Sequence, residues 1–232
     1  MTKISVCMAT YNGGKFVRGQ AVSILSQLSP NDELIVSDDS SSDNTIQELL
    51  SLNDERIHIF SNNCFHTPIF NFENAIIHAN GDIIFLVDQD DEWRADRIGY
   101  ALTMHKDGCM LVSCNRLNIY DDRTEISNVN PYSHSWWMNL LKPTYVGCCM
   151  SFRRELLNVI LPFPKSIAMH DLWIGLLAQR NFKCGFIDTP LINYNRHGES
   201  YIAKHKRSFY NRLVYRVNML LQVFKRENEI GL

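Results

Sequence analysis

Hydrophobic residues in the first hundred positions alternate between short apolar runs and longer stretches with helical spacing. The apolar runs predict four strands, at residues 4–9, 33–37, 56–60 and 82–87. Apolar residues spaced three and four positions apart predict a helix at residues 15–28, and a further helix is predicted at residues 69–79. Capping residues at 40–43 predict a third helix that runs to about residue 52. This alternation predicts βαβ units, and therefore an α/β fold with a mostly parallel central sheet flanked by helices.

The pattern is looser beyond residue 94, where strands and helices no longer alternate one for one. Helices are predicted at residues 94–106, 153–160 and 170–181. Strands are predicted at residues 110–120, 145–152, 184–188 and 191–194. With 232 residues, 45% of them hydrophobic, the chain fits one large domain or one domain with a small appendage.

Composition limits the class of protein without defining a function. The net charge of -2 gives no general reason to expect nucleic-acid binding. The seven cysteines include no C-x-x-C pair, which is typical of reduced cytosolic thiols and predicts neither a zinc site nor a disulfide framework. The amino terminus lacks a signal-peptide pattern, and no run approaches the roughly 18 apolar residues of a membrane span. We therefore expect a soluble or peripheral cytoplasmic protein.

Polar residues follow three of the first four predicted strands, at the point where each strand ends. They are Thr10, Tyr11 and Asn12 after the first strand, Asp38, Asp39 and Ser40 after the second, and residues 88–91 after the fourth. The carboxyl ends of parallel strands lie at one edge of a sheet, so these side chains are expected to converge. The first loop has neither G-x-G-x-x-G nor G-K-[ST] spacing, so neither a dinucleotide-binding nor a P-loop pocket is predicted.

The run formed by Asp88, Gln89, Asp90 and Asp91 is the strongest chemical signal in the chain. Carboxylates held this close together repel one another, and each loses hydration beside a buried strand. Mg2+ or Mn2+ would relieve that cost, because both ions prefer carboxylate and phosphate oxygens. A metal site that meets a phosphorylated ligand is therefore one interpretation, and a solvated turn is the other.

Six segments, in order, resemble motifs of the family 2 glycosyltransferases with the GT-A fold. They are residues 4–12, 35–43, 88–93, 147–157, 170–173 and 194–198. The third segment, D-Q-D-D-E-W, is similar to the bacterial branch that builds O-antigen and capsular polysaccharides, which includes many rhamnosyltransferases. The resemblance implies a transferase domain at residues 1–200, followed by a tail at residues 201–232.

The resemblance further implies an inverting, metal-dependent transfer of a sugar from a nucleoside-diphosphate donor. The donor nucleotide would be bound by Ala9, Thr10, Tyr11, Asp39 and Asp88. A tyrosine ring can stack on a pyrimidine and a carboxylate can accept its N3–H, although a packed loop aromatic is the alternative for Tyr11. Asp90 would bind the Mg2+ or Mn2+ that bridges the diphosphate, and Asp38 is expected to be a structural turn residue. The role of Asp91 is left open.

The acceptor side of the reaction is assigned to the later motifs. The resemblance implies that Asp171 is the general base that removes the acceptor hydroxyl proton, and capping of its helix is the alternative. Trp93, His170 and Trp173 are predicted to contact the sugar substrates, with core packing as an equal interpretation of the two indoles. His197 is a candidate ligand of the metal or diphosphate, or an ordinary loop residue.

Two segments depart from the family pattern. Residues 62–65 lack the glycine usual after the third strand, which leaves the donor contacts of that loop open. Asn195 stands where Arg or Gln is more usual, with Arg196 next to it, so a phosphate contact there is expected to be rearranged.

The tail is basic and amphipathic. Residues 201–226 contain seven Lys and Arg residues and no acidic residue, with apolar residues at helical spacing between them. Such a helix is typical of a membrane surface, and packing against the domain or a partner subunit is the alternative. Trp136 and Trp137 are compatible with an acceptor lip, a dimer contact or core.

The predicted function is transfer of rhamnose from dTDP-rhamnose, or of galactose, glucose or an N-acetylhexosamine from a UDP-sugar, in surface polysaccharide synthesis. The expected acceptor is a saccharide linked to undecaprenyl diphosphate at the cytoplasmic membrane face. A nucleotidyltransferase that makes nucleotide sugars is an alternative, but it would carry a Gly-rich basic loop after the first strand, which is not found here. A non-catalytic nucleotide-sugar-binding module is a third, and the intact set of Asp88, Asp90 and Asp171 argues against it.

Overall fold

The computed structural model describes residues 2–120, 122–127, 129–196 and 209–231. The strands in these ranges are β1 (Ile4–Thr10), β2 (Glu33–Asp38), β3 (Ile57–Phe60), β4 (Ile83–Asp88), β5 (Glu92–Trp93), β6 (Leu111–Ile119), β7 (Thr124–Ser127), β8 (Met150–Arg153) and β9 (Cys184–Asn195). The helices are α1 (Val17–Leu25), α2 (Thr45–Leu50), α3 (Pro68–His78), α4 (Arg97–Lys106), α5 (Trp136–Leu141), α6 (Leu157–Ile160), α7 (His170–Asn181) and α8 (Phe209–Ile230).

These strands form a single sheet, in the order β3-β2-β1-β4-β8-β6-β9-β5, with β7 paired to β6. β1 lies between β2 and β4 and is parallel to both, and β2 is parallel to β3. β8 then runs antiparallel to β4 and β6, so the sheet is mixed beyond β4. The predicted α/β fold with flanking helices is confirmed, and its four parallel strands are those predicted from the apolar runs.

The parallel strands are buried on both faces, which explains why their sequences are continuously apolar. Successive side chains point to opposite faces of the sheet. Ile4, Val6 and Met8 of β1 therefore pack against α1, α2 and α4 on one face. Cys7 and its neighbours Ile35 and Leu86 contribute to the larger core on the other face, which α3 and α5–α8 cover.

Helix α3 begins where its sequence predicts. The Thr67 hydroxyl accepts a hydrogen bond from the Ile69 N–H (3.3 Å), and Pro68 occupies the first turn, where its missing N–H costs nothing. The helix ends before Asn80 and Gly81. A Cβ at Gly81 would lie 2.5 Å from the Ser5 backbone nitrogen, so the chain can enter β4 beside β1 only with glycine here.

The second half of the chain differs from the prediction in detail. The strand predicted at 145–152 is a 3₁₀ turn, Gly147–Cys149, followed by the shorter β8. The two strands predicted at 184–188 and 191–194 are one strand, β9, whose pairing with β6 shifts register near Asn115. The helix predicted at 153–160 begins with another 3₁₀ turn before α6.

The carboxyl-terminal half of α8 packs on the domain. Met219 and Val223 are buried in the larger core. The buried Arg226 guanidinium donates to the carbonyls of Val159 (2.8 Å), Leu161 (2.7 Å) and Pro162 (2.6 Å). Packing against the domain, the alternative left open for the tail, therefore describes this part of it. Of the helices in the described ranges, none is both long and apolar enough to cross a bilayer.

Candidate active site

Gln89 joins the loop after β1 to the loop after β4. The Tyr11 N–H donates to Gln89 Oε1 (2.9 Å), and Gln89 Nε2 donates back to the Tyr11 carbonyl (3.1 Å). A Cβ at Gly13 would overlap the Gln89 side-chain amide, so glycine here leaves room for the two hydrogen bonds to Tyr11. Ala9 lies opposite Asp88 in the β1–β4 register. The Tyr11 ring is 60% exposed beside this junction, and its face is accessible to a flat ligand.

The two aspartates after β2 have different surroundings. Asp38 is buried, and its carboxylate accepts hydrogen bonds from the Thr10 hydroxyl (2.8 Å), the Ser41 N–H (2.8 Å) and the Ser41 hydroxyl (2.5 Å). These bonds match the structural role expected of Asp38, and they occupy the Thr10 hydroxyl. Asp39 Oδ1 accepts from the Phe65 N–H (2.6 Å), which fixes the loop after β3 beside it.

The loop after β3 is held without the family's glycine. Asn63 Nδ2 donates to the carbonyls of Asp38 (3.1 Å) and Phe60 (2.9 Å). Asn62 and His66 adopt the left-handed conformation, with φ of 64° and 52°. Asparagine tolerates this conformation better than most residues other than glycine, so the chain can make this turn at Asn62.

The acidic run lies at the same edge of the sheet, at the end of β4. Asn195 of β9 donates from Nδ2 to the Asp90 carbonyl (2.7 Å) and from its backbone N–H to Asp91 Oδ1 (3.2 Å). Burial is the main reason that the pKa of Asp88 is raised to about 7, and the negative charges of Asp90 and Asp171 add to it. Burial is also the main reason that the pKa of Asp91 is raised well above its usual value, with smaller contributions from the charges of Asp88 and Asp90. The hydrogen bonds from Asn195 therefore fix the acidic run to strand β9. The raised pKa values show that the carboxylates repel one another, as the sequence predicts.

Asp171 lies in the first turn of α7, near Asp88. The helix cap is Met169, so Asp171 is not the capping residue, although its Oδ1 accepts from the Leu172 N–H (2.6 Å). Burial raises the pKa of Asp171 to about 6, against the lowering effects of backbone N–H groups and the Arg216 charge. A carboxylate with this pKa is ionised at neutral pH and can still accept a proton, as a general base must.

The acidic residues fit a divalent cation. Asp91 is 2% exposed, and its Oδ2 has no hydrogen-bond partner among the described residues. One oxygen each of Asp88 and Asp91 and the Cys148 sulfur lie within 4.8 Å of one another. A cation would compensate the buried negative charge that raises these pKa values. Asp90 lies outside this close group, so its assignment as the metal ligand stays a prediction.

Comparison with known proteins identifies the family. The model of "Glycosyl transferase family 2" matches residues 5–161. The chain belongs to glycosyl transferase family 2. The GT-A fold is shared with the solved S. aureus TarS 1–349 in complex with UDP-GlcNAc, at a TM-score of 0.74 and 17% identity, over 97% of this chain and 72% of that one. This protein is therefore a glycosyltransferase by family, as the resemblance implied.

Two named relatives differ in the donor given in their names. The UDP-Glc:alpha-D-GlcNAc-diphosphoundecaprenol beta-1,3-glucosyltransferase WfgD of Escherichia coli is 28% identical, over 79% of this chain and 74% of its own. The dTDP-rhamnosyl transferase RfbG of Shigella flexneri is also 28% identical, over 86% of this chain and 77% of its own.

Three residues predicted to contact sugars point into the protein. Trp173 is fully buried, and its Nε1 donates to the Ile160 carbonyl (2.9 Å). Trp93 is 5% exposed, with the Arg97 guanidinium 4.5 Å from its ring centroid. The predicted sugar contacts of both indoles are therefore corrected to core packing, since α7 and β5 turn these side chains inward.

His170 is also buried, so its predicted substrate contact is corrected in the same way. Its ring stacks on Phe72 with 4.2 Å between centroids. Neither ring nitrogen has a hydrogen-bond partner among the described residues, and burial lowers the pKa of His170 to about 3. A Cβ at Gly147 would lie 2.8 Å from His170 Nε2, so the neutral imidazole fills the space that the glycine leaves. His197, the second predicted metal ligand, lies outside the described residues.

The sequence reasoning missed two residues at this edge. Cys148, in the 3₁₀ turn before β8, brings its thiol to Asp88 and Asp91. Arg216, in α8, lies near enough to Asp171 for its charge to lower the pKa of that carboxyl. Arg216 belongs to the basic tail, for which the sequence left a membrane surface and packing against the domain or a partner subunit as alternatives, and no local spacing connects either residue to the acidic run. Only the tertiary fold brings them there.

Proposed function

We propose that this protein is an inverting, metal-dependent glycosyltransferase that moves a sugar from a nucleoside-diphosphate donor to a hydroxyl of a lipid-diphosphate-linked saccharide. The observation that carries the proposal is the convergence of Tyr11, Asp39 and Asp88 with Asp171 at one edge of the sheet. Candidate donor-binding groups and a candidate proton acceptor are thus brought to the same acidic run, as a single displacement requires.

The donor is assigned to the loops after β1, β2 and β4. The exposed Tyr11 ring supports stacking on a pyrimidine, and the carboxylate of Asp39 is an acceptor for the ring N3–H. The backbone at Ala9 and Thr10 borders this pocket, and Asp88 is assigned to the ribose or deoxyribose hydroxyl. The names of the two relatives support either a UDP-hexose or dTDP-rhamnose as the donor.

The acidic run is assigned to Mg2+ or Mn2+, with Asp90 as the predicted ligand and Asp88 beside it. The bound ion would supply Lewis-acid neutralisation of the charge that develops on the leaving nucleoside diphosphate. The raised pKa values of Asp88 and Asp91 support this assignment, because a nearby cation would return both carboxylates to their ionised form.

Asp171 is assigned as the general base. It removes the proton from the acceptor hydroxyl as that oxygen attacks the anomeric carbon from the face opposite the leaving group. One displacement inverts the configuration, so no second nucleophilic carboxylate is needed. The pKa of about 6 supports this role, because Asp171 is then ionised before each turnover at neutral pH.

The acceptor is proposed to be a saccharide linked to undecaprenyl diphosphate in surface polysaccharide synthesis, since the name of the E. coli relative gives such an acceptor. Enzyme and acceptor would then meet at the cytoplasmic membrane face. Helices α5 and α8 contact each other, and each exposes apolar side chains that support such a location: Trp137, Met138, Leu141, Leu213, Val217 and Leu221. Arg226 is buried and therefore takes no part in the proposed membrane contact.

Flotation with vesicles of anionic lipid tests the membrane contact. The unmodified protein should float with the vesicles, and Leu221→Glu should weaken flotation several-fold, because it places a charge in the apolar contact. Ile77→Glu is the matched control, since Ile77 is equally exposed on α3. Protein that stays at the bottom of the gradient, or equal losses in both variants, would remove the membrane proposal while leaving the transfer reaction untouched.

The reaction itself is tested with a panel of UDP- and dTDP-sugars and a lipid-diphosphate-linked saccharide. We expect release of nucleoside diphosphate with one donor class, dependent on Mn2+ or Mg2+ and abolished by a chelator. Absence of release with every donor would contradict the proposal. Formation of pyrophosphate would instead favour a nucleotidyltransferase.

A further inference from the structure

We propose that Arg97 is a positioning residue for the transfer reaction, whose buried guanidinium holds the turn Gly147–Cys149 against both Asp171 and the acidic run. Arg97 Nη2 donates to the Cys148 carbonyl (2.5 Å), and the residue is only 2% exposed. It therefore acts from inside the fold and does not reach the substrates itself. The inference rests on the proposed function, because it assumes that Asp171 accepts the acceptor proton.

The turn lies directly against the first residues of α7. A Cβ at Gly147 would be 2.8 Å from His170 Nε2, so the Gly147 backbone packs on the residue that precedes Asp171. The Gly147 N–H is also one of the groups that lower the pKa of Asp171, against the larger effect of burial. The position of this turn therefore sets part of the surroundings of the proposed base.

The same turn lies against the acidic run. The Cys148 sulfur is within 4.8 Å of one oxygen each of Asp88 and Asp91, and its thiol is hydrogen-bonded to both carboxylates. Gly147–Cys149 is a 3₁₀ turn of three residues. Because so short a turn moves as a unit, the carbonyl that Arg97 holds cannot shift without moving these contacts as well.

The burial of this charge is costly, and packing alone does not account for it. The guanidinium lies 4.5 Å from the centroid of the Trp93 ring and 5.5 Å from that of Phe85, which offsets part of the cost. Nη1 is buried without a hydrogen-bond partner among the described residues. An apolar side chain would pack against the same rings without burying a charge. What it could not supply is the hydrogen bond to the Cys148 carbonyl.

Arg97 is itself fixed at the start of α4. Its backbone N–H donates to Gln27 Oε1 (2.9 Å), and Gln27 Nε2 donates to the Arg94 carbonyl (2.9 Å). The guanidinium therefore extends from an anchored helix end to the turn beside the site. A displacement of about 1 Å at the reacting groups can lower a rate by roughly 100-fold, so this connection is expected to matter for transfer.

Hydrogen exchange of the full chain tests whether Arg97 holds the turn, and it needs no enzymatic activity. In Arg97→Met the turn amides, among them the Cys149 N–H that donates to the Val146 carbonyl (3.0 Å), should exchange about tenfold faster, since one hydrogen bond from a charged donor is lost. Arg153→Met is the matched control, because Arg153 Nη2 donates to the His105 carbonyl (2.8 Å) at the other end of β8. Unchanged exchange of the turn in Arg97→Met would overturn the inference.

Single-turnover transfer, donor binding and melting temperature test the positioning role. Arg97→Met should lower the transfer rate by roughly 10- to 100-fold, with a much smaller loss of donor affinity and little change in melting temperature. Arg97→Lys keeps a charge and a donor but lacks the planar fork, so its loss should be smaller, and it gives the same comparison should Arg97→Met not fold. Arg153→Met should keep the wild-type rate.

A wild-type rate in folded Arg97→Met and Arg97→Lys, or an equal loss of rate in Arg153→Met, would overturn the inference. A wild-type protein that transfers no sugar would instead refute the proposed function. The exchange measurement would then still decide whether Arg97 holds the turn.

Discussion

The loops after β1 and β2 lie at the same edge of the sheet as the segment around β4, β8 and α7, yet their polar groups are held in opposite ways. In the first region the groups are paired, and Asp38 accepts three hydrogen bonds from Thr10 and Ser41. In the second, Asp91 and His170 carry buried polar atoms without a hydrogen-bond partner in the described ranges. The carboxylate of Asp38 is therefore compensated by hydrogen bonds within the protein, whereas the raised pKa values of Asp88 and Asp91 show that theirs are not.

The difference assigns separate tasks to the two regions. Paired groups fix the geometry of the loops that we propose bind the donor. Uncompensated carboxylates with raised pKa values are typical of sites where a ligand, an ion or a proton supplies the missing partner. A substitution in the first region should therefore lower the free energy of unfolding more than the transfer rate. A substitution in the second region should lower the transfer rate more than the free energy of unfolding.

Removing the cation should have the largest effect on transfer. Treatment with a chelator, or Asp90→Asn, should lower the rate of nucleoside diphosphate release by roughly 100-fold or more, because the leaving group loses its electrostatic stabilisation. Added Mn2+ should restore the chelated wild type but not the variant. Full activity of Asp90→Asn at low Mn2+ would move the metal assignment to Asp88 and Asp91.

Stability measurements separate the two regions. Asp38→Asn should lower the free energy of unfolding by about 1–3 kcal/mol, since an amide cannot accept all three hydrogen bonds. Asp91→Asn should leave this free energy unchanged or raise it at about pH 8 without metal, because it removes a repelling charge. Chemical denaturation of both variants measures the contrast. Equal losses in the two would contradict the distinction between the regions.

The raised pKa of Asp88 predicts how stability varies with pH. The folded state binds the proton of the Asp88 carboxyl more tightly than the unfolded chain does. The protonated carboxyl therefore contributes its full stabilisation of the folded state below about pH 4, and this stabilisation is lost as pH rises through about 7. The lowered pKa values of Glu33, Asp43 and Asp54 act in the opposite direction. The difference in melting temperature between wild type and Asp88→Asn isolates the effect, and it should change with pH only without metal. A difference in melting temperature that does not vary with pH would contradict a raised pKa of Asp88 in the folded state.

The smallest effect is expected at Arg216. Its charge lowers the pKa of Asp171, so Arg216→Gln should raise that pKa and move the acidic limb of the pH–rate profile to higher pH. Lys225→Gln, at an exposed position of the same helix, should leave the limb in place. Equal profiles for Arg216→Gln and wild type would show that α8 does not act on the base.

The strands of the first region and the positions of its loops were predicted from the sequence, and the reason is physical. Strands buried on both faces are continuous apolar runs, and polar residues after parallel strands gather at one edge, so local pattern was enough for β1–β4 and their loops. The second region depends on distant contacts. Cys148 meets the acidic run through the pairing of β8 with β4, and Arg216 meets Asp171 through the packing of α8.

The errors have the same origin. The α7 helix is buried on nearly every side, so Trp173 enters the core, although Asp171 two residues before it lies near Asp88. The segment Gly147–Cys149 was predicted as part of a strand because its residues are small and apolar, but it forms a 3₁₀ turn. In both cases the tertiary contacts outweigh the local pattern that the sequence presents.

The central claim is that the loops after β1, β2 and β4 bind the donor while Asp171 of α7 accepts the acceptor proton, and Asp171→Asn tests it most directly. Donor binding by calorimetry and single-turnover transfer should be measured on the same sample. We predict a wild-type Kd for the donor and a transfer rate lowered by about 100- to 10,000-fold, since only the general base is lost. Wild-type transfer by Asp171→Asn, or loss of donor binding together with transfer, would contradict the account.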